Sequence, residues 1–131
     1  MPRYMLGTDS VSCALRGHGQ VAARLLDHRP SELCISSVTL GELRYGADMR
    51  RSRKLHSLID IFAEAVTVEA FDRSAADRFG RVAVALARHG TPIGGFDTLI
   101  AAHALALGLT LVTNNSKHFG KVAGLKTENW V

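Results

Sequence analysis

The chain has only two cysteines, Cys13 and Cys34, and they form neither a C-x-x-C pair nor the spacing of a disulfide framework. They are expected to be reduced core residues of a cytoplasmic protein. No apolar run reaches membrane-spanning length, and the N-terminus shows no signal-peptide pattern, so no membrane association is expected. Repeats, low-complexity tracts and linkers are absent too. The 131 residues are therefore expected to form a single domain, large enough for a real core. Neither G-x-S-x-G nor H-E-x-x-H occurs, which removes the familiar hydrolase and zincin signatures. The six histidines are scattered without ligand spacing.

What is present is an ordinary folded composition, 47% hydrophobic and 21% charged. Sixteen basic residues against twelve acidic ones give a net charge of +4, with an isoelectric point near 9.5. That excess fits a polyanionic partner. Arg50, Arg51, Arg53 and Lys54 form the one dense basic run, which by itself reads as a solvated helix face.

The most informative stretch runs from Pro92 to Phe119. It reads as a loop, a buried helix stopped by Gly108, a buried strand over 109–113 and a polar loop. Before it, strands are expected at 3–6, 32–36 and 65–70, and helices at 10–15, 20–28, 38–49, 54–64 and 72–89. An edge strand is expected within 125–130. Strands alternating with helices predict a parallel sheet covered on both faces, an α/β sandwich. Working sites in such sheets lie at the carboxyl ends of the strands. That rule selects Gly7-Thr8-Asp9 and Thr113-Asn114-Asn115.

Helices add to the same edge. In the helix over 38–49, Val38, Glu42, Tyr45 and Met49 share a face, which puts the Glu42 carboxylate in an apolar stripe and in need of a partner. Asp97 falls in the first turn of the helix after Pro92, where a carboxylate is favoured by the helix dipole alone. Taken with Asp9, Glu42 and Asn115, it suits an oxygen-ligated divalent cation better.

Several fragments now fit one pattern: Tyr-Met-Leu-Gly-Thr-Asp at 4–9, Ile-Ser-Ser-Val-Thr-Leu-Gly-Glu-Leu-Arg-Tyr-Gly-Ala at 35–47, and Phe-Asp at 71–72. Pro-Ile-Gly-Gly-Phe-Asp-Thr-Leu-Ile-Ala-Ala-His-Ala at 92–104, Leu-Val-Thr-Asn-Asn at 111–115 and the terminal Glu-Asn-Trp complete it. In this order and spacing the chain resembles PIN-domain ribonucleases of the VapC type, toxins of bacterial toxin–antitoxin pairs. The resemblance implies a PIN-like three-layer α/β/α sandwich with a mainly parallel sheet. It also implies a Mg²⁺- or Mn²⁺-dependent endoribonuclease that dimerises and is silenced by a VapB-like antitoxin. The substrate class it implies is RNA, with the anticodon loop of initiator tRNA as the expected target.

Carried over by position, Glu42 matches the family's helix glutamate and Asp97 the acid that holds metal most directly. Asn115 matches an Asp or Asn position, and Asp9 an Asn or Ser position lining the same pocket. Thr113 matches a Thr or Ser near the metal or its water, and Asn114 stands beside it in a supporting place. The family's first metal-binding aspartate corresponds to Gly7. A hard cation that loses a carboxylate ligand binds weakly and misplaces its water, so the chain is expected to be inactive or impaired. The alternative is a catalytically dead PIN fold that binds RNA or an antitoxin. Two decoys fall away. Gly17-His18-Gly19-Gln20-Val21-Ala22 does not directly follow the first strand as a dinucleotide site requires. A dehalogenase-type reading lacks paired acids after the late strand.

Overall fold

A computed structural model gives the structure of the chain and describes residues 2–131. The strands are short: β1 Tyr4–Leu6, β2 Leu33–Ser36, β3 Thr67–Glu69, β4 Thr110–Val112 and β5 Thr127–Glu128. They make one sheet in the order β3-β2-β1-β4-β5, with every pairing parallel. The chain builds outward from β1 in one direction and from β4 in the other. The boundary between β1 and β4 is therefore the switch point where a cleft opens at the carboxyl edge.

The helices are α1 Thr8–Leu15, α2 Val21–Leu25, α3 Ser37–Met49, α4 Arg53–Ala65, α5 Arg73–Arg88, α6 Gly95–Leu107 and α7 Ser116–Phe119. Alternating strand residues feed two separate cores. Tyr4, Leu6, Leu33, Ile35 and Val112 face α1 to α4, with Val11, Leu43, Ala47 and Ile59 packed against them. Met5, Cys34 and Leu111 face α5 to α7, with Val82, Leu86, Ile100 and Phe119. This is the three-layer sandwich expected. Cys13 and Cys34 lie in different cores, free and buried, as expected. Burial pushes the Cys34 thiol up to about 12.

Several boundaries differ from the sequence reading. The first helix begins at Thr8 rather than Ser10, because Gly7 with φ −71° and ψ 161° already serves as its N-cap. Asp9 therefore sits in a first turn rather than a loop. The helix expected over 20–28 lasts only from Val21 to Leu25. The third strand starts at Thr67 because α4 runs on through Ala65. The face of α3 expected to be an apolar stripe is not covered: Tyr45 and Met49 are each 68% exposed.

Two caps fix the helices that carry acids. Ser36 Oγ accepts from the Val38 amide at 3.1 Å and starts α3. Gly94, at φ 95°, makes the turn into α6 that a side chain would resist. His103, fully buried in α6, lies 2.8 Å from Ser36 Oγ through Nδ1, and burial lowers its pKa below the ordinary histidine value. It is a hydrogen-bonded core residue, not a catalyst.

Candidate active site

Gly7 ends β1 by donating its amide to the Val112 carbonyl at 2.9 Å, which fastens the ends of the two central strands together. Ser10 Oγ reinforces this by donating to the same carbonyl at 3.0 Å. Above that junction lies an open cleft of about 360 Å³, walled by Gly7, Thr8, Asp9, Asp97, Asn114 and Asn115, with Ile100 and Phe119 behind. Both strand ends chosen from the sequence, and the first turn of α6, thus meet at one place.

Each carboxylate is held by one oxygen. Asp9 Oδ2 accepts from Thr113 Oγ1 at 2.9 Å and from the Asn114 amide at 2.8 Å. Thr113 Oγ1 in turn accepts the Asn115 amide at 3.0 Å. This relay pins the loop after β4 to the start of α1. Glu42 Oε1 accepts from Thr8 Oγ1 at 2.7 Å, and Thr39 Oγ1 lies 3.3 Å from the same hydroxyl. Glu42 does not wall the main cleft. It stands across Thr8 in an adjoining groove of about 210 Å³. The partner its burial demanded is Thr8, from the strand end the carboxyl-edge rule selected, though the sequence reading did not pair the two.

Asp97 has a partner that sequence reasoning also missed. His118 Nε2 donates to the Ile93 carbonyl at 2.7 Å and lies 3.0 Å from Asp97 Oδ2. His118 thereby ties α7, the segment just after Asn115, to the entry of α6 and fixes the Asp97 side chain. Twenty-one residues separate the pair, and no local pattern announces it.

The acids feel both burial and one another. Burial raises the pKa of Glu42 most. Thr8 opposes the shift, and Asp97 and Asp9 add to it. Burial likewise raises Asp97, with His118 opposing and Asp9 adding. A carboxyl whose folded pKa is raised favours the folded state when protonated. Its charge therefore costs stability increasingly as pH rises from the ordinary value, 4.5 for glutamate, through the folded one. Glu42→Gln is accordingly expected to unfold at a higher temperature than the parent at pH 7, with the gap closing below pH 4.5. A less stable Glu42→Gln at pH 7 would contradict this electrostatic account.

Among the described residues, no three His, Cys, Asp or Glu side chains stand close enough to hold one ion. Mg²⁺ keeps several waters and needs only one or two carboxylates, but Asp9, Asp97 and Glu42 do not gather as a set of three, and each gives one oxygen to a protein donor. The residues as placed therefore do not fit a shared three-carboxylate Mg²⁺ or Mn²⁺ centre. A Cβ at Gly7 would face Asp9 Oδ1 at 2.9 Å.

The sequence profile of the PIN domain matches residues 13–125, a span that includes Glu42, Asp97 and Asn115 and begins after Asp9. The chain belongs to the PIN-domain family. Within it, the chain belongs with the VapC ribonucleases of toxin–antitoxin systems. It is 37% identical over 131 residues to a tRNA(fMet)-specific endonuclease VapC of Shigella flexneri, covering 99% of each chain. It is 34% identical to a ribonuclease VapC2 of Haemophilus influenzae over the full length of both. Among solved structures, it superposes with TM-score 0.92 and 33% identity on the DNA-bound VapBC of Salmonella typhimurium, each chain fully covered. A promoter-DNA-bound VapBC2 of Rickettsia felis gives TM-score 0.88 at 35% identity, with 98% of each chain covered.

Proposed function

We propose that this chain is the toxin of a toxin–antitoxin pair, built as a Mg²⁺- or Mn²⁺-dependent endoribonuclease acting on tRNA in the cytoplasm, and disabled by Gly7. The single observation that carries the reading is the convergence of Asp9, Asp97, Asn114 and Asn115 on one cleft beside Gly7. Relatives named as tRNA(fMet)-specific endonucleases support tRNA as substrate and its initiator form as target. The DNA-bound VapBC structures of relatives support a VapB-like antitoxin as partner, and a homodimer is the working form that the family resemblance implies.

Were a carboxylate restored at position 7, Asp97 fixed by His118, Asp9 by Thr113 and Glu42 by Thr8 would help hold a divalent ion, whose chemistry would be to activate water and neutralise charge on the phosphate. A second reading, RNA or antitoxin binding without cleavage, is favoured by the incomplete donor set. Expression in a bacterial host separates the two. The parent chain should leave growth unaffected, whereas Gly7→Asp should arrest it, and Gly7→Asp with Asp97→Asn should not. Unimpeded growth with Gly7→Asp, expressed and folded, would favour the binding protein.

A further inference from the structure

A second groove, of about 300 Å³, is lined by α5 and by Lys121, Val122 and Ala123, which directly follow α7. Its floor is apolar, from Val82, Leu86 and Val122, and its polar rim is cationic, from Arg78, Arg81 and Lys121. No Asp or Glu lines it. Asp77 lines a neighbouring pocket with Arg78 and Arg81 but forms an ion pair with neither among the described residues. Three permanent cations without internal partners, side by side along one trough, make a strongly anion-seeking surface.

Its position gives the charge a purpose. The chain passes from cleft to groove at the end of α7. Phe119 at that end backs the cleft, while Lys121 and Val122 just beyond it line the groove. On the opposite side, Thr91 lines the groove, and two residues on the Ile93 carbonyl is held by His118, which also holds Asp97.

We propose that this groove carries the phosphate backbone of the RNA whose target bond lies in the Asp97 cleft, an extension that rests on the ribonuclease reading. Grooves that track single-stranded nucleic acid combine a cationic backbone track with aromatic side chains for base stacking. This groove supplies the cationic track, and its aliphatic floor fits a backbone-holding rather than a base-stacking role. The dense run of Arg50, Arg51, Arg53 and Lys54, on the α3–α4 side of the sheet, is not needed for this track.

Fluorescence anisotropy with labelled bulk tRNA in EDTA tests the proposal without cleavage, so its outcome does not depend on restoring activity. The triple variant Arg78→Gln, Arg81→Gln, Lys121→Gln is compared with Arg29→Gln, Arg53→Gln, Lys54→Gln, which removes equal charge elsewhere. The slope of log affinity against log salt should fall by about 2 in the groove variant, given about 0.7 per single-stranded phosphate contact. It should change little in the control. Equal losses in both variants would show that net charge alone binds RNA, and would overturn the groove. Unchanged tRNA affinity with lost binding of poly-glutamate would assign the groove to an acidic protein partner. No tRNA binding by the parent chain would sink the RNA reading itself, and this inference with it.

Discussion

Gly7→Asp is expected to raise Mn²⁺ affinity by at least about 10–100-fold, the loss that even an outer-shell partner of a metal site produces when removed. The backbone at position 7 is ready for it. With φ −71° and ψ 161°, Gly7 has a conformation open to any residue, and it is the N-cap of α1 with no side chain to cap it. Aspartate is among the best N-cap residues. The obstacle is Asp9. A Cβ at position 7 would come within 2.9 Å of Asp9 Oδ1 and 3.2 Å of the Val112 carbonyl. Asp9 must therefore swing aside and loosen its grip on Thr113 and Asn114. Two neighbouring carboxylates also repel one another until a cation joins them. The metal-free Gly7→Asp chain is thus expected to be less stable than the parent and to regain stability on adding Mn²⁺. Calorimetric titration and thermal unfolding read the two effects. Gly7→Asn, similar in shape but uncharged, should show much less of either. Equal Mn²⁺ affinity in parent and Gly7→Asp would remove position 7 from the site.

Trp130→Ala should cost about 3–5 kcal/mol, the usual range for deleting a large buried aromatic. Trp130 is 1% exposed although it is the penultimate residue. Its ring stacks on His28 with centroids 4.8 Å apart and planes 3° from parallel, and it lies 5.1 Å from Tyr4. The indole Nε1 donates to Glu128 Oε1 at 3.0 Å, and the Arg24 guanidinium lies over the ring at 5.5 Å. One side chain therefore joins the tail to β1 and to the segments around α2. It also steadies β5, whose Glu128 carbonyl accepts the Thr113 amide at 2.9 Å, at the base of the site loop. Urea unfolding measures the loss. Trp130→Phe, which keeps most of the stack and drops the hydrogen bond, should cost much less. A near-neutral Trp130→Ala would mean that the tail is not held by this ring.

Much of this architecture was legible because it is written locally. Alternating strands and helices announce a parallel sheet, and Gly108, left-handed at φ 68°, stops α6 where the sequence placed the stop. The strand ends at Gly7 and Thr113 were legible through the rule that sites gather at carboxyl edges. Contacts made across the fold were not. The Thr8–Glu42 bond spans 34 residues and the His118–Asp97 pair 21, and neither has a periodicity to betray it. The exposure of Tyr45 and Met49 was missed for a related reason. Helical spacing groups residues on a face but does not say what covers that face.

Total tRNA incubated with the parent chain or with Gly7→Asp, in Mg²⁺, Mn²⁺ or EDTA, and resolved on a denaturing gel, tests most directly whether Gly7 disables a ribonuclease. Discrete fragments are expected only from Gly7→Asp, only with metal, and from the initiator species. Equal metal-dependent cleavage by the parent would contradict the claim that Gly7 disables the site. Cleavage by neither chain would contradict the ribonuclease reading of the cleft.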